Sequence, residues 1–258
     1  MELHDRINSF RPIGLAEMDS VALVNRIDTK FVFPRSMLET VLAGLTSDYR
    51  ILEINGIRNH VYDSLYFDDA QHSLYLMHHN ERGHRFKLRL RKYGSTGSVF
   101  MEVKKKTNTG RTVKERKKTH VFTELVDHSQ LEFFSAAGGR VSDWVYSLRI
   151  GFNRMTLVSI DPPERVTLDL DLHVEDRDGR FPMGGSVIAE VKQGSRANSV
   201  FLSLMKRMRI QSGSISKYCL AVTLLKKNIK YNLFKSRRER FLRVESNHNQ
   251  QLLSNGTF

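Results

Sequence analysis

Between residues 85 and 106 the chain alternates apolar and charged positions with period two. Phe86, Leu88 and Leu90 interleave with Lys87, Arg89 and Arg91. Past a Gly-Ser-Thr-Gly turn, Met101 and Val103 interleave with Glu102, Lys104 and Lys106. This pattern predicts a β-hairpin with one apolar and one charged face. Similar patterning predicts strands over NRIDTKFVF, ILEING, VYDSLYFD, TGRTVKERKKTHV, RIGFNRMTLVSI, ERVTLDLDLHVED and SVIAEVKQG, and the apolar run SKYCLAVTLL predicts a final strand. Helical spacing is found over residues 15–24, over 35–45 with Met37, Leu38, Val41, Leu42 and Leu45 on one side, over 129–145 with a break at Gly138-Gly139, and over about 197–210. The order has no repeating βαβ rhythm, which argues against a doubly wound sheet.

The charged faces recur from strand to strand. Arg26, Asp28 and Lys30 share one, Arg165, Thr167, Asp169 and Asp171 another, and Glu190 pairs with Lys192. An ordinary antiparallel sheet, polar outside and apolar inside, produces the same alternation in any single strand. Taken together the strands point further, because arginine is frequent and Asp28, Glu102 and Glu190 each sit two residues from a cation. Like charges on neighbouring strands destabilise pairing, and the planar fork of arginine suits bidentate phosphate recognition. A sheet closed around this face would be a basic tunnel whose counter-charge is its substrate.

Composition narrows the partners. The 258 residues are 40% hydrophobic and 27% charged, as in a folded soluble protein, and the net charge of +13 favours polyanions. Residues 1–225 form the predicted body. From Lys226 onward eight Lys/Arg face two glutamates in a basic tail, expected to be disordered beyond Val244. With Ile229, Leu233, Phe234, Phe241 and Leu242 interspersed, that tail is a candidate for docking on an anionic membrane or a membrane protein. No run of about 18 apolar residues predicts a membrane span. MELHDRINSF lacks the apolar core of a secretory signal, and a single cysteine, Cys219, cannot form an internal disulfide. These features fit a cytoplasmic protein, with the tail at the inner face of a membrane.

Nine short pieces then carry a family resemblance. They are R-I-D-T-K-F at 26–31, S-L-Y-F-D at 64–68, K-L-R-L-R-K-Y-G at 87–94, M-E-V-K-K-K at 101–106, V-K-E-R at 113–116, F-N-R at 152–154, R-V-T-L-D at 165–169, A-E-V-K at 189–192 and S-K-Y at 216–218. In this order the chain resembles the VTC-type polyphosphate polymerase domain of the triphosphate tunnel metalloenzyme (CYTH-like) superfamily. The resemblance implies an α+β, mainly β fold: a closed eight-stranded antiparallel tunnel barrel with a charged interior and helices packed outside. It implies catalytic roles for Arg89, Arg91, Lys104, Arg154, Arg165 and Lys217, and phosphate binding by Lys30, Lys87, Lys114, Lys192 and Ser216. Glu190 resembles the family's metal-binding glutamate and Glu102 occupies a comparable place, so Mn²⁺ or Mg²⁺ is the implied cofactor. Asp169 and Asp171 are further candidate carboxylates. The implied reaction transfers the γ-phosphoryl group of ATP to a polyphosphate chain, in a tunnel open at both ends. The superfamily's hydrolases begin with Glu-x-Glu-x-Lys, where this chain has Arg26-x-Asp28-x-Lys30. That departure resembles the polymerase branch.

Other classes lack their residues. There is no H-E-x-x-H, no paired Cys/His spacing, no G-x-x-x-x-G-K-[ST], no G-x-G-x-x-G and no G-x-S-x-G. Cys219 among Leu220, Ala221 and Val222 reads as a buried thiol, and Trp144 as helix packing. Hydrolysis of a triphosphate and non-enzymatic polyanion binding are the rival readings. No specific nucleic acid is expected, because Glu102, Asp169 and Glu190 would repel its backbone and aromatic stacking platforms are missing.

Overall fold

A computed structural model describes residues 3–20, 26–136, 143–194 and 198–254. In chain order the elements are α1 (Leu3–Asn8), β1 (Arg11–Ile13), α2 (Leu15–Ser20), β2 (Ile27–Pro34), α3 (Leu38–Ala43), β3 (Arg50–Leu52), β4 (His60–Asp68), α4 (Ser73–His79), β5 (Arg85–Tyr93) and β6 (Val99–Lys106). They continue with β7 (Thr112–Thr119), α5 (His128–Ala136), β8 (Val145–Ser159), β9 (Glu164–Glu175), β10 (Arg180–Met183), β11 (Ser186–Gln193), α6 (Val200–Arg207), α7 (Lys217–Leu225) and α8 (Lys235–Ser254). The expected break at Gly138-Gly139 lies outside the described residues, as does the end of the helix expected over 15–24. Trp144 and Val145 leave the helix expected there: Trp144 packs in the core and Val145 opens β8.

Among the described residues the sheet has eleven strands, not eight, and it is open. Its main path runs β2-β11-β9-β8-β4-β5-β6-β7, with β1, β3 and β10 attached beside it. The two end strands, β2 and β7, do not pair, so the closed barrel expected from the sequence is not formed. The composition of β7 gives the reason. Lys114, Arg116 and Lys118 alternate with Glu115 and Lys117, and almost every residue of the strand is exposed. Such an edge has no apolar face to bury, and its charges oppose pairing. The sheet nonetheless curls: Lys30 of β2 lines the same cavity as Lys87 of β5 and Lys104 of β6, although four strands separate β2 from β5.

Each face of the sheet has its own packing. On the apolar face, Phe31, Phe33, Leu168, Ala189 and Val191 pack with Leu38, Val41, Leu42 and Phe201 from α3 and α6. Leu65, Phe67, Leu88, Leu90, Met101 and Val103 form a second cluster there with Phe134 of α5. The charged face is apolar toward one end, where Tyr66, Ile150, Phe152, Leu172 and Ile188 pack against α7. Val158, with Met18 of α2, Ile13 and Leu52, forms a small fourth cluster. A bulge between β8 and β9 sets the change of character along β9. Asp171 adopts φ 50°, so Leu170 and Leu172, two residues apart, enter different clusters. Opposite it, a Cβ on Gly151 would lie 2.2 Å from the His173 ring, which leaves no room for a side chain.

Two segments differ from their sequence patterns. The run SKYCLAVTLL is a helix: α7 is buried at every position from Tyr218 to Thr223. A run with no polar face carries no periodicity to separate strand from helix. The polar tail is also helical to Ser254, and it is anchored. Phe241 is 1% exposed, and a carboxylate oxygen of Glu245 accepts the Gly185 N–H at 2.9 Å. Ile229 and Phe234 pack on the α7 cluster, so these apolar positions of the tail face the body of the protein.

Candidate functional site

Strand register builds the site, because Glu102, Asp169 and Glu190 on the charged face each lie directly opposite a cation. Glu102 faces Arg89 of β5 and Arg116 of β7, Asp169 faces Arg154, and Glu190 faces Lys30. Opposite charges on paired strands attract, and in this enclosed setting the pairs shift titration. Burial would raise the Glu102 carboxyl, but Arg89, Arg91 and Lys114 outweigh it and bring it to about 2. Arg89 bonds Glu102 through Nε at 2.7 Å, and Lys114 pairs with the same carboxylate. Asp169, 1% exposed, is held between Arg154, at 2.5 Å, and Lys217. Against its burial, those two cations keep it well below the usual carboxylate range. Glu190 pairs with Lys192, and with Lys30 at 3.5 Å. Its burial is likewise outweighed by these lysines, and its carboxyl falls to about 2.

Other cations on this face have no carboxylate of their own. Among the described residues Lys87 and Lys104 form no ion pair, and Arg91 bonds the Ser64 hydroxyl at 3.1 Å. Enclosure, then the neighbouring Lys87 and Lys30, lowers the Lys104 ammonium to about 8, although its side chain opens onto the cavity. Lys87 is lowered by burial as well. Burial and then Lys87 bring the nearby His78 imidazole to about 2, so this ring is neutral.

Aromatic rings support the cations from below. Arg154 lies over Tyr62 at 4.9 Å and over Phe152 at 5.2 Å, Lys217 lies over Phe152 at 5.0 Å, and Arg91 over Tyr62 at 5.4 Å. Cation–π contact of this kind steadies a guanidinium while its edge remains a donor. Tyr66 accepts from Arg89 at 2.9 Å. Burial would raise its phenol, but Arg89 and Arg91 bring it down to about 8. The sequence reading missed Tyr62, Tyr66 and Phe152. Alternation along β4 and β8, which puts Tyr62, Ser64 and Tyr66 on one face and Phe152 beside Arg154, was the signal that would have found them.

The predicted residues fall into connected groups. Lys30, Lys87, Lys104 and Ser216 line one cavity of about 240 Å³. Lys30, Asp169, Glu190 and Lys217 line a smaller adjoining pocket, and Lys192 is tied to it through Glu190. Arg89, Arg91, Glu102 and Lys114 form a third group across β5, β6 and β7. Arg165 stands apart from the cavity and donates to the Met18 carbonyl at 3.2 Å, beneath α2. Ser216 has two tasks: its oxygen caps α7 by accepting the Cys219 N–H at 3.2 Å, and its hydroxyl proton remains free to donate. Asp171 leaves the candidate set, because the bulge turns it outward to Arg35 and Asn153.

A divalent cation must be judged against this donor set. Among the described residues no group of three His, Cys, Asp or Glu side chains is arranged to hold a metal. Glu102 is 2% exposed in its side chain and is held by two cations. Glu190 is also paired with two cations, Lys30 and Lys192, but it is 20% exposed and borders the open pocket. The site therefore fits a cation held by one carboxylate together with phosphate oxygens, a common arrangement for Mg²⁺.

Comparison with known proteins adds a family. The sequence profile of the VTC domain matches residues 25–226. No curated protein matches the chain. Among solved structures, a candidate adenylate cyclase from Bacillus halodurans superposes with a TM-score of 0.52 at 11% identity, covering 79% of this chain and 100% of that one. A candidate adenylyl cyclase from Hippeastrum, described as having a dominant triphosphatase activity, gives 0.46 at 15% identity over 79% of this chain and 98% of its own. The Bacillus halodurans protein shares the fold at a level that supports comparison of architecture alone.

Proposed function

The chain belongs to the VTC domain family, and on that premise we propose that it is a polyphosphate polymerase. It transfers the γ-phosphoryl group of ATP to the terminal phosphate of a polyphosphate chain. A terminal oxygen of the acceptor attacks the γ-phosphorus, the bond from that phosphorus to the β,γ-bridging oxygen breaks, and ADP leaves with that oxygen. Phosphoryl transfer needs positioning and charge stabilisation more than covalent chemistry, and a wall of fixed cations supplies both. The observation that carries the reading is the unbalanced charge of this face: among the described residues Lys87, Arg91 and Lys104 form no ion pair, while Glu102, Asp169 and Glu190 are each paired with two cations.

In this proposal Arg89, Arg91 and Arg154 clamp phosphate oxygens, with Tyr62, Tyr66 and Phe152 holding their planes. Lys30, Lys87, Lys104 and Lys217 neutralise the chain, and Lys114, Lys192 and Ser216 complete the phosphate contacts. Arg165 acts from beneath α2. Glu190 would hold Mn²⁺ or Mg²⁺, which when bound supplies charge neutralisation between phosphates. Arg26 bonds Asp28 at 3.1 Å on the exposed start of β2, so this strand presents no pair of free carboxylates of the kind a two-metal hydrolase begins with.

Incubation of the protein with ATP and Mn²⁺, with products resolved by size, tests the reading. ADP and a long acid-labile polymer are expected; release of orthophosphate alone would assign a triphosphatase instead. Arg91→Ala should slow polymer formation by about 100-fold, the usual loss for one preorganised donor to a developing charge. Glu190→Gln should lose most activity while remaining folded.

A further inference from the structure

The VTC match ends at residue 226, yet the cavity does not. Leu233, Phe234, Arg237 and Arg238, from the segment after the match, line the same cavity as Lys30, Lys87 and Lys104. Lys106 at the end of β6 lines it too. The cavity thus has an inner set of cations on the sheet and an outer set where α8 begins. Among the described residues neither Arg237 nor Lys106 forms an ion pair. Arg237 lies over the Phe234 ring at 5.8 Å, and Arg238 Nε donates to the Thr223 carbonyl at 3.0 Å.

The position of this outer set is fixed by the fold. The buried Phe241, the bond from Gly185 to Glu245 and the contact of Arg238 with α7 hold the first turns of α8 against the body. Solubility alone does not require basic residues to be anchored at the rim of an already basic cavity, where they add to the repulsion. An anion that spans both sets removes that repulsion. A triphosphate has only three phosphate groups to place among the inner lysines, whereas a longer chain has further units to engage the outer set at the same time and gains from the second contact as a linked ligand does.

We propose that Arg237, Arg238 and Lys106 form a second phosphate subsite at the cavity rim, which grips the distal phosphates of an inorganic polyphosphate chain whose end lies among Lys30, Lys87 and Lys104. The proposal rests on the polymerase reading for the identity of the chain, but its test requires no turnover. Binding of long-chain polyphosphate and of tripolyphosphate to the full-length protein is measured at fixed salt. The Arg237→Glu and Lys106→Glu variants, singly and together, are compared with the unmodified chain.

The unmodified protein should bind the long chain more tightly than tripolyphosphate. Each variant should lose about tenfold for the long chain, the loss of one charge-assisted contact. Tripolyphosphate binding should stay within about twofold, which also shows that the variants are folded. Equal affinity of the unmodified protein for the two ligands, equal losses for both ligands, or no loss for the long chain would overturn the subsite. A single-stranded oligonucleotide of matched charge that competes as well as polyphosphate would overturn the ligand assignment. A protein that binds long chains in this selective way but makes none from ATP would reject the polymerase reading and leave the subsite standing.

Discussion

Asp169 neutralises two cations at once from a buried position, so its removal leaves Arg154 and Lys217 uncompensated. Asp169→Asn is expected to cost about 3–5 kcal/mol in urea denaturation, the range for breaking one side of a buried ion pair. Lys104 gives the site a pH dependence of definite sign. Its ammonium, lowered to about 8 in the fold, loses its proton as pH rises, so tripolyphosphate affinity should fall between about pH 7 and 9. Lys104→Arg stays charged and should flatten that profile. Stability moves the other way, because the unfolded chain binds the extra proton between pH 8 and 10.5 and the fold gains as pH rises through that window. At this scale the sequence was informative about which residues share a face, since period two is strict in β5, β6 and β11. It was silent on Asp171, because one inserted residue at a bulge reverses every later position and leaves no trace in composition.

Among the elements, α7 departs furthest from its sequence pattern. The residues that made it read as a strand, Tyr218 to Val222, are the ones it buries on all sides. Its start was marked all the same, by Ser216 three residues before Cys219, in N-cap spacing. Ser216→Ala should therefore cost about 1 kcal/mol of stability, and Ser216→Thr should restore most of it. Calorimetry on the two variants separates this capping role from any phosphate contact, which would alter ligand affinity instead. The neighbouring pair works similarly: Tyr218 donates to Asp68, whose carboxylate also accepts the N–H groups of Asp69, Leu74 and Tyr75, and so ties α7, α4 and β4 together. Nothing in the local sequence links residues 68 and 218. Only the fold makes them partners.

For the molecule as a whole, the segment after residue 226 is part of the folded body. A chain ending at Leu225 loses the burial of Phe241 and the Glu245 contact, and its thermal midpoint should fall by about 10 °C, as for deletion of one buried aromatic side chain. A midpoint equal to that of the full chain would return α8 to the status of a solubilising tail. The charge excess was legible in composition, and the shared charged face in the period-two alternation that recurs from strand to strand. The open edge was not, since it depends on β7 having no apolar side to offer a partner it would have met only after folding. That edge has a topological consequence. A ring of strands fixes its own bore through an unbroken hydrogen-bond circuit, but here the circuit stops at β7 on one side and at β2, whose outer edge holds Ser212 and Gly213, on the other, so the spacing of Lys30 from Lys87 and Lys104 is set by the curl of the sheet and by the segment leading into α7.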